Sequence, residues 1–160
     1  MSAARFTFHY PERPERWRKI TWVRGYTWYS VSDHGRVRND KTGRIVKAFH
    51  RGYHNEYLGV NLCNGAGNLT RKAVLVHRLV AEAFLAPASD PSRREVNHFD
   101  GNPENNHYRN LEWCTRRENE AHKRFIDLTN EFLAEEERRS FDPPVDGEAE
   151  AEAGAEAVNA

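Results

Sequence analysis

The chain has 160 residues, 38% of them hydrophobic and 30% charged, and its 24 Lys plus Arg balance 24 Asp plus Glu. That length holds one compact core, or two small ones with extensions. No apolar run approaches the roughly 20 residues of a membrane span and the N-terminus lacks a basic-then-apolar signal, so a soluble, cytoplasmic protein is expected.

The zero net charge hides an asymmetry. From Ala134 onward nine acidic residues face only Arg138 and Arg139, which leaves residues 1–133 with 22 basic and 15 acidic side chains. The folded part is basic, as a phosphate-binding protein is. Cys63 and Cys114 lie far apart without a Cys-x-x-Cys partner. This argues against a thiolate zinc site or a disulfide framework, and both read as small buried residues.

In chain order, Met1 to Pro14 carries Pro11 and Pro14 and is expected to lie extended across the domain. Trp28 to Val31 and Arg36 to Arg38 are β-prone runs joined by Ser32-Asp33-His34-Gly35, which predicts a hairpin. Alternation puts Arg36 and Arg38 on one face and Val37 on the other. Ile45 to Phe49 is expected as a third strand. Tyr57 to Leu62 and Leu69 to Val76 read as strands around an Asn64–Asn68 turn, with Arg71 and Lys72 beside it in reach of phosphates. Val76, Leu79, Val80, Ala83 and Phe84 follow helical spacing and predict an amphipathic helix over 76–85, ended by Pro87.

The densest chemistry lies in residues 95–122. Two short apolar runs, Val96 to Phe99 and Leu111 to Cys114, bracket a polar loop of about a dozen residues. Thr115-Arg-Arg-Glu118 then has the spacing of a capping box, so a helix is expected from near Arg116 toward Phe125 or beyond. Asn119, His122 and Lys123 share one face of it. In such a β-β-helix unit the helix lies across the hairpin and returns Asn119 and His122 toward Asn97 and His98. Phe125, Leu128, Phe132 and Leu133 either continue this helix or begin a second one packed on the domain. Past Ser140, prolines and the Glu/Ala/Gly-rich end predict disorder.

These words resemble the HNH nucleases, in the homing-endonuclease-like branch of the ββα-metal fold. The matching words are Val76-His-Arg-Leu-Val-Ala81 with Ala83-Phe84, Val96-Asn-His-Phe-Asp-Gly-Asn102, Asn105-Asn106, Asn110-Leu-Glu-Trp113, and Glu118-Asn119 with His122. Glu15 to Arg38 also resembles the small DNA-contacting module often found ahead of such nucleases, through Trp17, Ile20, Gly25, Tyr29, Val31, Ser32, Gly35 and Arg36-Val37-Arg38. The helix-turn-helix repeat that some relatives carry C-terminally is not visible.

The resemblance implies an α+β fold, a small antiparallel sheet followed by a ββα-metal core, with a disordered acidic tail. The division expected is an arm 1–14, a DNA-binding module 15–50, a nuclease domain 51–133 and a tail 134–160. It implies His98 as general base, a role suited to an imidazole that titrates near neutrality. Asn97 and Asn119 fall at its metal positions, with His122 a third ligand or a phosphate contact and Asp100 a runner-up. Asn110 ties the loop together and helps orient the base. The cofactor implied is one divalent cation, Mg²⁺ or Mn²⁺, since oxygen donors suit those ions.

The partner implied is double-stranded DNA, held by Arg36, Arg38, Arg71, Lys72, His77, Arg78, Arg116 and Lys123. His77 either supports the site or faces DNA; Trp113 and Phe84 are expected in the core. The protein is expected to nick DNA as a monomer or weak homodimer. Asn97 departs from relatives with Asp or His there, and two neutral amides bring no charge to a dication. A decayed nuclease kept as a DNA-binding module is therefore the alternative.

Overall fold

A computed structural model of the chain describes residues 13–52, 56–65 and 71–140. The arm up to residue 12, most of the 64–68 turn and the tail beyond Ser140 lie outside the described residues.

Three small antiparallel sheets follow one another. The first has the order β1 (Trp17–Lys19), β2 (Tyr29–Ser32), β3 (Val37–Asn39), with Val31 opposite Val37. The expected hairpin is present: the Ser32 N–H and Gly35 N–H close the turn on Arg36 O and Ser32 O, at 2.8 and 3.1 Å. Every residue of β2 is buried. Its two serines are tolerated there because Ser30 Oγ donates to Asp40 Oδ2 at 2.7 Å and Ser32 Oγ accepts the Arg36 N–H at 2.9 Å.

The second sheet is β4 (Phe49–Arg51), β5 (Tyr57–Cys63) and β6 (Arg71–Leu75). Here the expectation for Ile45 to Phe49 needs correction. Ile45 makes only an isolated bridge to Arg38 and stays half exposed, and pairing resumes at Phe49 in the second sheet. The third strand of the first sheet is instead β1, a short run with exposed Arg18 and Lys19.

β6 passes without a linker into α1 (Val76–Phe84), whose N-cap Leu75 offers no side-chain bond. The helix is held by its apolar face: Val76, Leu79, Val80, Ala81 and Ala83 are buried, and they pack in one cluster with Ile20, Val31, Val60, Val96 and Leu111. At roughly 1.5–3 kcal/mol per buried aliphatic side chain, this cluster is the main stabilising term. It draws on both sheets and on the hairpin that follows. Trp113 and Phe84 pack against it from its edge.

That hairpin is β7 (Glu95–His98) and β8 (Leu111–Cys114), joined by a long loop that ends in one 3₁₀ turn, Tyr108–Asn110. Then comes α2 (Arg116–Ser140), opened by the expected capping box: Thr115 N–H donates to Glu118 Oε2 at 2.8 Å and Glu118 N–H to Thr115 Oγ1 at 3.2 Å. The helix continues unbroken through Phe125, Leu128 and Phe132, which lie 61–66% exposed. It does not turn back on the domain, and residues 134–140, expected within the disordered tail, are its last two turns.

Both cysteines are free. Cys114 is buried, which pushes its thiol up to about 11, and Cys63 is only half-buried.

Candidate active site

The β7–β8 register sets Asn97 opposite Glu112, and the two-residue period of a strand puts Glu95 on the same face as Asn97. His98, one residue on, turns to the other face, against α1. There its ring centroid lies 5.3 Å from that of His77, edge to face, and 6.2 Å from that of Tyr57. One cleft is lined by Tyr57, Asn97, His98, Pro103, Asn119, His122 and Lys123, among others. Asn97, His98, Asn119 and His122 therefore meet as the β-β-helix reading predicts, and Tyr57 of β5 joins them.

Within the cleft the polar groups have fixed orientations. Asn97 Nδ2 donates to Glu112 Oε1 at 2.9 Å, and Asn119 Nδ2 donates to Glu95 Oε2 at 2.7 Å. A carboxylate only accepts, so each amide must turn its NH₂ toward its glutamate and keep its carbonyl oxygen for another partner. Asn106 is locked likewise: Nδ2 donates to Glu104 O at 3.0 Å, which leaves Oδ1 to face His98 Nε2 at 3.3 Å. His98 thus carries its proton on Nε2, and Nδ1 holds the lone pair.

Burial lowers the pKa of His98 below the usual imidazole value, with the Asn106 bond and the Asp100 charge acting in the opposite sense. Burial, followed by the charges of His98 and Arg78, pushes His77 down to about 3. Both rings are neutral at pH 7. His77 Nδ1 is buried with no hydrogen-bond partner among the described residues, a further cost of protonating that ring.

Comparison with known proteins accords with this geometry. Residues 74–121 match the HNH endonuclease family model, and residues 15–63 match the NUMOD4 motif. Two uncharacterized HNH endonucleases of Acanthamoeba polyphaga mimivirus are 37% identical over 109 residues and 32% identical over 117, spanning 67% and 72% of this chain. The solved structure of the HNH homing endonuclease I-HmuI, described for its DNA binding and cleavage, superposes with a TM-score of 0.50 at 27% identity, covering 78% of this chain and 64% of that one. Residues 74–121 are an HNH endonuclease region. The chain spans only 29% and 28% of the two viral relatives.

Within the HNH region, Asn110 lies beneath the loop, fully buried and away from the cleft. Its Nδ2 donates to Asp100 Oδ1 at 2.8 Å and to Asn105 O at 2.9 Å, and its Oδ1 accepts the Asp100 N–H at 3.1 Å. Asp100 also receives Asn102 N–H and Asn105 Nδ2. Its carboxylate is occupied by its own turn. Replacing Asn110 by Ala removes three hydrogen bonds, leaving the Asp100 N–H and Asn105 O without this partner while Asp100 Oδ1 keeps the Asn102 N–H, and is expected to cost roughly 2–4 kcal/mol. Urea denaturation reads this directly, and a loss under about 1 kcal/mol would show that the loop is held by something else.

Other expected positions separate. His77 is 5% exposed and its ring lies edge to face against that of His98. Arg36 pairs with Glu15, Arg38 with Asp40 at 3.4 Å, and both guanidinium groups lie over the Trp17 ring. Arg71 and Lys72 are exposed on β6. Arg78 reaches Arg94 O at 3.0 Å, Arg116 pairs with Glu120, and Lys123 sits 3.9 Å from Glu56.

Glu95, Glu112 and Asn106 carry no expected role in the sequence, although each touches a predicted site residue. Strand period alone places Glu95 beside Asn97. Finding Glu112 needs the hairpin register, and Asn106 needs the path of the loop.

Proposed function

We propose that the protein is a DNA endonuclease that hydrolyses one phosphodiester, with His98 as general base and one divalent cation held by the side-chain oxygens of Asn97 and Asn119. The observation that carries this reading is the locked orientation of three side chains around one cleft. His98 has its lone pair on Nδ1, and both amides have their nitrogens tied to carboxylates. A proton from the attacking water passes to His98 Nδ1, which shares a cleft with the two amides.

Hard oxygen donors suit Mg²⁺ or Mn²⁺, and such an ion supplies positive charge against the phosphate and the departing 3′ oxygen. Among the described residues no group of three or more His, Cys, Asp or Glu side chains is arranged to hold an ion. The shell is therefore completed by DNA phosphate, with His122 as a further donor from α2. Binding is weak without DNA. Glu95 and Glu112 supply the negative charge that two amides lack, from behind the ligands.

Glu112→Gln removes the constraint on Asn97, since Gln offers either end of its own amide. It is expected to raise the Mn²⁺ dissociation constant of the protein–duplex complex about tenfold. Calorimetry on a cleavage-deficient background reads this, and an unchanged constant would remove Glu112 from the site.

Arg36, Arg38, Arg71, Lys72, Arg78, Arg116 and Lys123 hold the backbone of double-stranded DNA. The surface pairs of Arg36 and Arg38 are worth about 0–1 kcal/mol, so phosphate displaces Glu15 and Asp40 readily. One site cuts one strand, and a monomer nicks.

The test is supercoiled plasmid with Mg²⁺ or Mn²⁺, with and without chelator. Metal-dependent conversion to open circle is expected; retained DNA binding with no cutting in either metal would favour the decayed binding module.

A further inference from the structure

The N-terminal hairpin turn touches the HNH loop at the side chain that holds His98. Gly35 has φ +85°, and a Cβ built on it would stand 2.7 Å from Asn106 Cβ. That is closer than two carbons can approach, so the loop rests against the bare backbone of Gly35. The contact is flanked on both sides. Tyr108 N–H donates to Asp33 O at 2.9 Å, and the His34 and His107 rings meet edge to face at 4.9 Å. Asp33 is itself fixed, accepting Arg16 N–H and Nε at 3.0 and 2.8 Å.

We propose that this turn is a working part of the nuclease site: Gly35 positions Asn106, and Asn106 in turn sets the ring orientation and tautomer of His98. Gly35 and Asn106 are then positioning residues, and the DNA-contacting module has a second task, holding the base in its reactive form. The proposal rests on His98 being the base. Asn106 has little freedom to give way, because its Nδ2 is bound to Glu104 O and its side chain is 3% exposed. A methyl group on residue 35 must displace it from His98 Nε2.

The experiment uses full-length ¹⁵N-histidine-labelled protein at pH 8, with the ring-nitrogen shifts of His98 assigned by loss of its signals in His98→Ala. The wild type is expected to show the Nε2–H tautomer. Gly35→Ala, and Gly35→Asn, whose side chain tolerates positive φ better, are both expected to show mixed tautomers. Plasmid cleavage should fall roughly tenfold or more with DNA affinity kept within about twofold.

Gly43→Ala is the control: φ is +70° there, in the same module, but nothing lies within 4 Å of its Cβ. It should leave the His98 shifts unchanged. A pure Nε2–H tautomer in either folded Gly35 variant, or an equal change in Gly43→Ala, overturns the proposal. If His98→Ala cuts as fast as wild type, the base assignment itself fails, and the tautomer shifts still report whether residue 35 controls the ring.

Discussion

His98→Ala protein is expected to leave supercoiled plasmid almost uncut, its cleavage rate falling about 10²–10⁴-fold while its affinity for duplex DNA stays within roughly a factor of two. The size of the effect follows from the arrangement around the ring. Asn106 fixes the proton on Nε2, and burial favours the neutral ring, so the base is held in the accepting form. Ala removes the only imidazole that this bond orients. The affinity is spared because His98 is 6% exposed and, Lys123 apart, the basic side chains assigned to the backbone do not line its cleft. A variant that cuts at the wild-type rate would discard His98 as base and shift attention to His122, the other imidazole lining the cleft.

The second large effect is on stability. His77 has its pKa pushed down to about 3 by burial, whereas in the unfolded chain it titrates near 6.5. Between these values the unfolded state binds a proton that the folded state refuses, so stability falls as pH drops below about 6.5 and goes on falling toward pH 3. Above pH 6.5 both states are neutral at this residue and the effect vanishes. The full loss is on the order of 5 kcal/mol for His77, and the lowered pKa of His98 adds in the same direction.

Denaturant midpoints from pH 8 to pH 4 test this, with His77→Leu as comparison. Leu has no titrating group and removes the unpartnered Nδ1, so the variant should equal or exceed wild type at pH 8 and lose less on acidification. Parallel curves for the two proteins would show that His77 is not responsible.

Features encoded within a few residues were legible in the sequence. The Thr115–Glu118 capping box, the helix over Val76 to Phe84 and the turn through Gly35 depend on neighbours in the chain, and each is present. The cleft joining Asn97, His98, Asn119 and His122 was also legible, because a hairpin followed by a capped helix has few ways to pack.

Relations set by register or by distant approach were not. Glu112 meets Asn97 only once the strands are aligned residue against residue. Gly35 and Asn106 meet across the whole second sheet and α1 in the chain order. The spacing of Phe125, Leu128 and Phe132 specifies one helix face but not what that face touches, and in the structure it is exposed. Ile45 to Phe49 has strand-type residues that meet the first sheet only at the Ile45–Arg38 bridge and the Val46 N–H to Val37 O bond, so ladder pairing waits for β5.

The apolar cluster around α1 takes Ile20 and Val31 from the NUMOD4 segment and Val96 and Leu111 from the HNH hairpin, and β6 enters α1 without an intervening linker. The two segments are therefore expected to melt together, in a single transition. A fragment cut between them exposes half a core on each piece. For a lineage that exchanges parts by recombination, the inheritable cassette is the pair: a nuclease hairpin moved without its partner module arrives without the floor it folds on.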